Sequence, residues 1–321
     1  MPITHTPAAP VGITGTGFIG TALAERLRHE GHEVRGVDLH PDPSGRWSSL
    51  GATTVAADIT DPTAMAVFCD GLDTVFHTAA IVAESGDLEV FRQVNVNGPL
   101  TVATAAKSAG VRRFVHFSSV MVYGFDFPDG VSEAGPLDGA DNPYCITKIE
   151  AEEALAPLHE LGVFDVFIIR PGDVYGPGSV PWVLRPFEAM ASGLWATIGA
   201  DEHPLINHVF IDNLLDGIWC VLEAGRSGEP FVITDQRRTT NEEFYRYLLD
   251  MLEVGEVPSI SATEALGFGL DPQAVRYLMR RGQYSADKVA TLGYTPQVGL
   301  SEGMARTKAW LATLPGVEFR S

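Results

Sequence analysis

The sequence predicts a doubly wound α/β domain, a parallel sheet covered by helices on both faces, joined to a smaller and mostly C-terminal lobe. Two observations carry this. Through the first half of the chain, short β-rich apolar runs alternate with stretches whose apolar residues recur at helical spacing, and such alternation requires right-handed crossovers and parallel strands. From Gly172 onward the alternation loosens into Pro- and Gly-rich loops with scattered helices. The expected strands are Val11–Thr14, Glu33–Val37, Thr53–Ala57, Thr74–His77, Phe114–Phe117 and Phe164–Ile169. They look like buried strands, as expected of a parallel sheet covered on both faces. Helical spacing predicts Ile19–His29, Pro62–Cys69, Asp87–Ala109 and Pro143–Leu161 between them. Beyond lie helices Pro186–Ser192, Asp212–Glu223, Asn241–Leu252 and Ser301–Leu311, with a strand Pro230–Thr234.

Composition bounds the functions. The 321 residues suit one large domain or two, and 45% hydrophobic with 20% charged residues is a globular balance. With 22 Lys+Arg against 41 Asp+Glu the net charge is −19, which opposes neutralising phosphates along a nucleic acid or an anionic membrane. Cys69, Cys145 and Cys220 are odd in number and widely spaced, so a reducing, cytoplasmic setting is expected rather than a disulfide framework or zinc knuckle. Met1–Pro10 has neither a basic cluster nor an apolar core, and no apolar run approaches a membrane span. The nine histidines show no metal-ligand spacing, so no metal is expected.

The first strand runs into Gly15-Thr16-Gly17-Phe18-Ile19-Gly20 and then a helix. Glycines there allow a tight turn and let a pyrophosphate approach free N–H groups at the helix start. Asp38 follows Gly20 by 18 residues, at the end of the second strand. A carboxylate in that place accepts the ribose hydroxyls and repels a 2′-phosphate, which selects NAD over NADP. The loop residues Gly15, Gly17, Phe18, Ile19 and Gly20, with Asp38, are the expected cofactor contacts. Residues 1–172 are accordingly expected to form an NAD-binding Rossmann domain to which 205–236 returns, with 173–204 and 237–321 as the substrate lobe.

Tyr144 and Lys148 stand four residues apart at the start of a predicted helix, on one face and within reach of a common ligand. A phenol is a poor base at neutral pH, but a nearby ammonium and an oxidised nicotinamide both favour its phenolate. Lys148 can supply that charge while holding the cofactor ribose. Ser119, at the end of the fifth strand, supplies a hydroxyl to orient a substrate oxygen, and strand C-terminal ends are where ligands of open α/β sheets bind.

With these motifs in place the chain resembles the extended short-chain dehydrogenases/reductases, a family that includes nucleotide-sugar epimerases, dehydratases and 3β-hydroxysteroid dehydrogenases. The likeness runs through Thr14–Gly20, Asp58-Ile59, Val75-Phe76-His77-Thr78-Ala79-Ala80, Asn95-Val96-Asn97-Gly98, Phe117-Ser118-Ser119, Val122-Tyr123-Gly124, Tyr144 with Lys148, and Arg170-Pro171 with Tyr175-Gly176-Pro177. It implies that Asp58 and Ile59 flank the adenine, that Ala79, Ala80, Asn95 and Pro171 line the cofactor, and that Ser119, Tyr144 and Lys148 are catalytic. It also implies a homodimer in which the helices at Asp87–Ala109 and Pro143–Leu161 pair across a two-fold axis. The glycine loop is a residue shorter than the family's T-G-x-x-G-x-x-G, so the pyrophosphate turn is expected to differ locally.

Departures from the family narrow the reaction. Dehydratases carry an Asp-Glu pair after the catalytic hydroxyl residue, where this chain has Val120 and Met121, which cannot transfer protons. Epimerases carry polar or cationic substrate contacts where this chain has Asp173 and Ile206, although Arg276, Arg280 and Arg281 can compensate. The expected substrate contacts are Asp173, Trp182, Phe187 and Arg276. The expected activity is NAD-dependent interconversion of a secondary alcohol and a ketone on a hydrophobic, steroid-like or polyketide-like small molecule. The alternative is a nucleotide-sugar epimerase with tightly bound NAD.

Overall fold

The structure, a computed structural model, describes residues 10–42, 45–317 and 319; of the Met1–Pro10 segment read above, all but Pro10 lies outside the described residues. The chain forms two compact units. The first comprises residues 1–122, 137–170 and 221–231, the second 123–136, 171–220 and 232–321. Of the 205–236 stretch expected to rejoin the first domain, only 221–231 clusters with it, and 123–136 clusters with the second unit.

The seven-stranded sheet is built from β1 (Val11–Thr14), β2 (Val34–Asp38), β3 (Thr53–Ala56), β4 (Thr74–His77), β5 (Arg113–Phe117), β6 (Asp165–Pro171) and, after the short strands of the second unit, β9 (Pro230–Ile233). Its order is β9-β6-β5-β4-β1-β2-β3, and β1 pairs in parallel with both β2 and β4. The connection reverses direction between β1 and β4. A crevice at the carboxyl ends of these strands is the place such sheets offer a ligand.

Helices α1 (Phe18–His29), α2 (Pro62–Cys69), α3 (Leu88–Arg92), α4 (Gly98–Ser108) and α5 (Pro143–Leu155) belong to this unit. One apolar cluster joins Phe68, Val75, Val102, Phe114, Leu155 and Phe164, and each fully buried side chain of this size contributes about 1.5–3 kcal/mol. The single helix expected over Asp87–Ala109 is broken, because a π-turn at Gln93–Asn97 separates α3 from α4. Pro99 has no N–H to return to the Asn95 carbonyl, so the regular ladder cannot pass through this point. The helix expected to reach Leu161 stops at Leu155 and tightens into a 3-10 turn, Ala156–Leu158, around Pro157 for the same reason.

In the second unit β7 (Asp173–Tyr175) and β8 (His208–Phe210) pair in parallel. Tyr175 packs edge-on against Phe210 and Phe244, with ring centroids 5.3 Å away in both cases. The buried Asp235 carboxylate accepts from the Phe210 N–H and from Asn213 Nδ2, and meets His208 Nδ1 at 2.9 Å. His208 Nε2 meets Thr239 Oγ1 at 2.9 Å, so the polar groups around Asp235 are paired as burial demands, whereas the buried Tyr175 hydroxyl has no partner among the described residues. The helices at 262–267 and 272–278 and the two-residue strands of this unit carry no periodicity long enough to be read from sequence.

Candidate active site

At the mouth of the glycine loop, Gly15 has φ +88°, and a Cβ there would lie 2.8 Å from the Ala79 nitrogen. A Cβ on Gly20 would fall 1.9 Å from the Gly15 carbonyl oxygen. Both positions therefore require glycine. Gly17 differs. It caps α1 without any side-chain hydrogen bond, it is exposed, and no atom lies within 4 Å of where its Cβ would be. The open start of a 12-residue helix with no acidic residue in its first turn is suited to an anion. Phe18 and Ile19, half-buried, begin that helix.

Asp38 ends β2 with its carboxylate turned to this loop. Oδ2 accepts the Thr16 N–H at 2.8 Å and Oδ1 the His40 N–H at 3.1 Å. Its remaining lone pairs fit ribose hydroxyls, and its charge opposes a third phosphate. Asp58 is exposed, with Oδ1 accepting from the Thr60 N–H and hydroxyl at 2.8 Å. Ile59 beside it is buried against Gly98, where a Cβ would lie 2.6 Å from its Cδ1. Ala79 and Ala80 follow β4 and are half-buried. Asn95, buried in the π-turn, accepts the Ile81 N–H at 2.8 Å and donates to the Ile81 carbonyl at 3.0 Å and Thr147 Oγ1 at 3.2 Å. It clamps the segment that carries the two alanines. The residues present thus fit a dinucleotide: a glycine cradle, an unfilled helix start and a fixed carboxylate. Pro171 ends β6 and is buried.

The helix bearing Tyr144 is started by Asn142-Pro143. Asn142 Oδ1 accepts the Tyr144 and Cys145 N–H groups at 2.9 and 3.0 Å, and Pro143 fills the position that needs no N–H. Its Nδ2 donates to the Glu84 carbonyl at 2.9 Å, which pins the helix start. Tyr144 and Ser119 are joined by a side-chain hydrogen bond, and Ser119 Oγ also accepts the Met121 N–H at 3.1 Å. Lys148 is buried, with its ammonium 5.6 Å from the centroid of the Tyr144 ring and donating to the Phe117 carbonyl at 2.7 Å. Structure thus brings together the three residues singled out by sequence, all within the first unit.

Burial pushes the Tyr144 phenol up to about 12, against the opposing hydrogen bond from Ser119. It also pushes the Lys148 ammonium down to about 8, against the charge of Glu152. The two shifts carry the groups apart, the phenol up and the ammonium down, and a cationic nicotinamide would favour the phenolate. Such a pair can accept a proton from an alcohol or return it to an alkoxide at the strand ends.

In the second unit Asp173 is 2% exposed and fully engaged. It accepts from Arg280 Nη2 at 2.9 Å, from the Asn207 N–H at 2.9 Å and from the Tyr277 hydroxyl. Trp182 is half-buried and packs on Tyr277 with centroids 5.4 Å apart. Phe187 is 4% exposed, a core residue of its helix. Arg276 is exposed, lies over the Phe125 ring at 4.8 Å and approaches Asp126 at 3.6 Å. Sequence reasoning missed Tyr277 and the partnership of Asp173 with Arg280. It also missed Glu152, which binds Arg170 and Ser118, although its place four residues after Lys148 was a usable signal. Among the described residues no three His, Cys, Asp or Glu side chains are placed to hold a metal ion, and no helix is long and apolar enough to cross a membrane.

The model of the NAD dependent epimerase/dehydratase family matches residues 11–234. The chain belongs to this family. Members similar to it include a 3-beta-hydroxysteroid dehydrogenase of Mycolicibacterium neoaurum, 31% identical over 261 aligned positions, covering 76% of this chain and 70% of that one. A UDP-glucose 4-epimerase of Mycolicibacterium smegmatis is 30% identical over 92% of this chain and 96% of its own. Among solved structures, DesIV, the dTDP-glucose 4,6-dehydratase of Streptomyces venezuelae with NAD and TYD bound, superposes with a TM-score of 0.81 at 27% identity, covering 96% of this chain and 98% of that one. The protein is an NAD-dependent extended short-chain dehydrogenase/reductase enzyme, an oxidoreductase or epimerase.

Proposed function

We propose that the protein interconverts a secondary alcohol and a ketone on an uncharged, hydrophobic small molecule, with net transfer of hydride to or from NAD. Tyr144 takes the hydroxyl proton, Ser119 holds the oxygen, and Lys148 supports the phenolate and the ribose. Bound NAD supplies the hydride acceptor. The observation that carries the substrate class is the Asp173–Arg280 pair, each side chain 1% exposed. A nucleotide sugar presents a pyrophosphate, which calls for an uncommitted cation. In the second unit Arg280 is neutralised by Asp173, Arg281 lies against Glu202, and Arg276 lies near Asp126. Phe125, Trp182 and Tyr277 gather there instead, as an aromatic cluster.

Further support comes from relatives. A 2-alkyl-3-oxoalkanoate reductase of Stenotrophomonas maltophilia, 27% identical, matches over 92% of this chain, alongside the hydroxysteroid dehydrogenase already named. Val120 and Met121, both buried, leave no acid and base for elimination of water. We place the enzyme in the cytoplasm as a homodimer, which light scattering would test against a monomer. The activity test is spectrophotometric. NAD with sterols and aliphatic secondary alcohols should yield net NADH, and UDP- or dTDP-sugars should not. Interconversion of a nucleotide sugar without net NADH would replace this reading with the epimerase.

A further inference from the structure

Three charged side chains are buried side by side in the first unit: Lys148 at 3% exposure, Glu152 at 7% and Arg170 at 3%. Buried charges persist only when paired and hydrogen-bonded. Glu152, one helical turn beyond Lys148 on α5, meets that requirement twice over. Its Oε1 accepts Arg170 Nε at 2.8 Å and its Oε2 accepts Arg170 Nη2 at 2.5 Å. A counter-ion pair would be complete with those two bonds. Oε1 also accepts the Ser118 hydroxyl at 2.5 Å, and this third bond is the informative one.

Ser118 stands between two residues that touch the catalytic set. Before it, the Phe117 carbonyl is the seat of the Lys148 ammonium. After it, the Ser119 hydroxyl meets Tyr144. The Ser118 N–H in turn donates to the Ile169 carbonyl at 2.8 Å, next to Arg170. A closed circuit therefore runs from α5 through Lys148, Phe117 and Ser118 back to Glu152 on α5. We propose that Glu152 is a positioning residue, which by holding Ser118 fixes both the carbonyl on which Lys148 rests and the hydroxyl that meets Tyr144. The role rests on the reading of Ser119, Tyr144 and Lys148 given above, and Glu152 touches no substrate.

The groups facing Lys148 are Tyr144 and Glu152 on its own helix, His77 from β4 and His116 from β5, with Arg170 from β6 set beyond Glu152. Burial and the lysine's charge hold both histidines neutral. Glu152 is then the carboxylate that keeps the ammonium charged, and that ammonium keeps the phenolate accessible.

Two variants test the role. Glu152→Gln keeps length and removes charge, whereas Ser118→Ala keeps both charges and cuts the circuit, so it remains informative even if the first fails to fold. The readout is the pH at which Tyr144 ionises in the NAD complex, taken as tyrosinate absorbance minus that of the matching Tyr144→Phe background, together with kcat and KM for hydride transfer. Both variants should ionise Tyr144 at higher pH, Glu152→Gln by ~1 unit or more, and should lower kcat about tenfold with KM little changed. An unchanged ionisation pH in both would overturn the proposal. A shift in Glu152→Gln with none in Ser118→Ala would overturn the route through Ser118. The absorbance reading needs no substrate, so a protein that oxidises none of the alcohols offered would fail the proposed function while still reporting on Glu152.

Discussion

The Lys148 ammonium lies 5.6 Å from the centre of the Tyr144 ring, and it is anchored by a 2.7 Å hydrogen bond to the Phe117 carbonyl rather than by a carboxylate. A direct carboxylate partner would hold the charge away from the phenol. A carbonyl holds the lysine in place and leaves its charge available to Tyr144 and to a ribose.

Lys148→Met should therefore weaken NAD binding and lower turnover by the ~10²–10⁴-fold typical of losing proton-transfer support. The same substitution should stabilise the fold near neutral pH. The lysine is pushed from 10.5 to about 8 in the folded state, so the unfolded chain binds more protons between those values, and stability rises with pH across that window. Below it the buried ammonium carries a cost that methionine lacks. Cofactor titration and urea unfolding at neutral pH check both parts.

Asp38→Ala should relax the preference for NAD over NADP, because it removes the charge facing the 2′ position along with the Thr16 and His40 tethers. Calorimetry with both cofactors measures the ratio. An unchanged ratio would assign selectivity to another residue.

His77 and His116 stack 5.7 Å apart in the core of the first unit, each 1% exposed. Burial pushes His77 down to about 3 and His116 well below its usual value. The unfolded chain takes up protons on both rings below pH ~6.5 while the folded chain does not, so stability must fall as pH drops from there toward 3. Two such rings give a slope of up to about 2.7 kcal/mol per pH unit. His116→Phe should remove about half of that slope, as read by urea midpoints along an acid series.

Asp173→Ala leaves Arg280 buried without its counter-ion and should cost about 3–5 kcal/mol, whereas replacing both residues by apolar ones of similar volume should recover most of it. Chemical denaturation of the single and double variants decides. A single variant near wild-type stability would deny that the arginine is committed to this pair, and with it the argument against anionic substrates.

Local signals were the legible ones. The loop Gly15–Gly20, Asp38 and the Tyr144/Lys148 spacing are each set within a few residues or one helical turn, and the strands of the sheet are short apolar runs that sequence marks directly. What escaped depends on distant partners. Asp173 and Arg280 are 107 residues apart, and nothing near either says that they neutralise one another, so Asp173 reads from sequence as a substrate contact. The break between α3 and α4 is written in Pro99, yet the strong apolar spacing on either side conceals it. Glu152 sits in register with Lys148, but its burial against Arg170 exists only once β6 is laid beside β5.

In the proposed reaction Tyr144 moves the proton while hydride leaves for NAD. Tyr144→Phe keeps the ring and removes only the hydroxyl, so folding and NAD affinity should persist. The measurement is single-turnover NADH formation by the Tyr144→Phe enzyme on a secondary alcohol the wild type oxidises, at matched NAD saturation. The rate should fall ~10²–10⁴-fold; near-normal turnover would remove Tyr144 from the proton transfer.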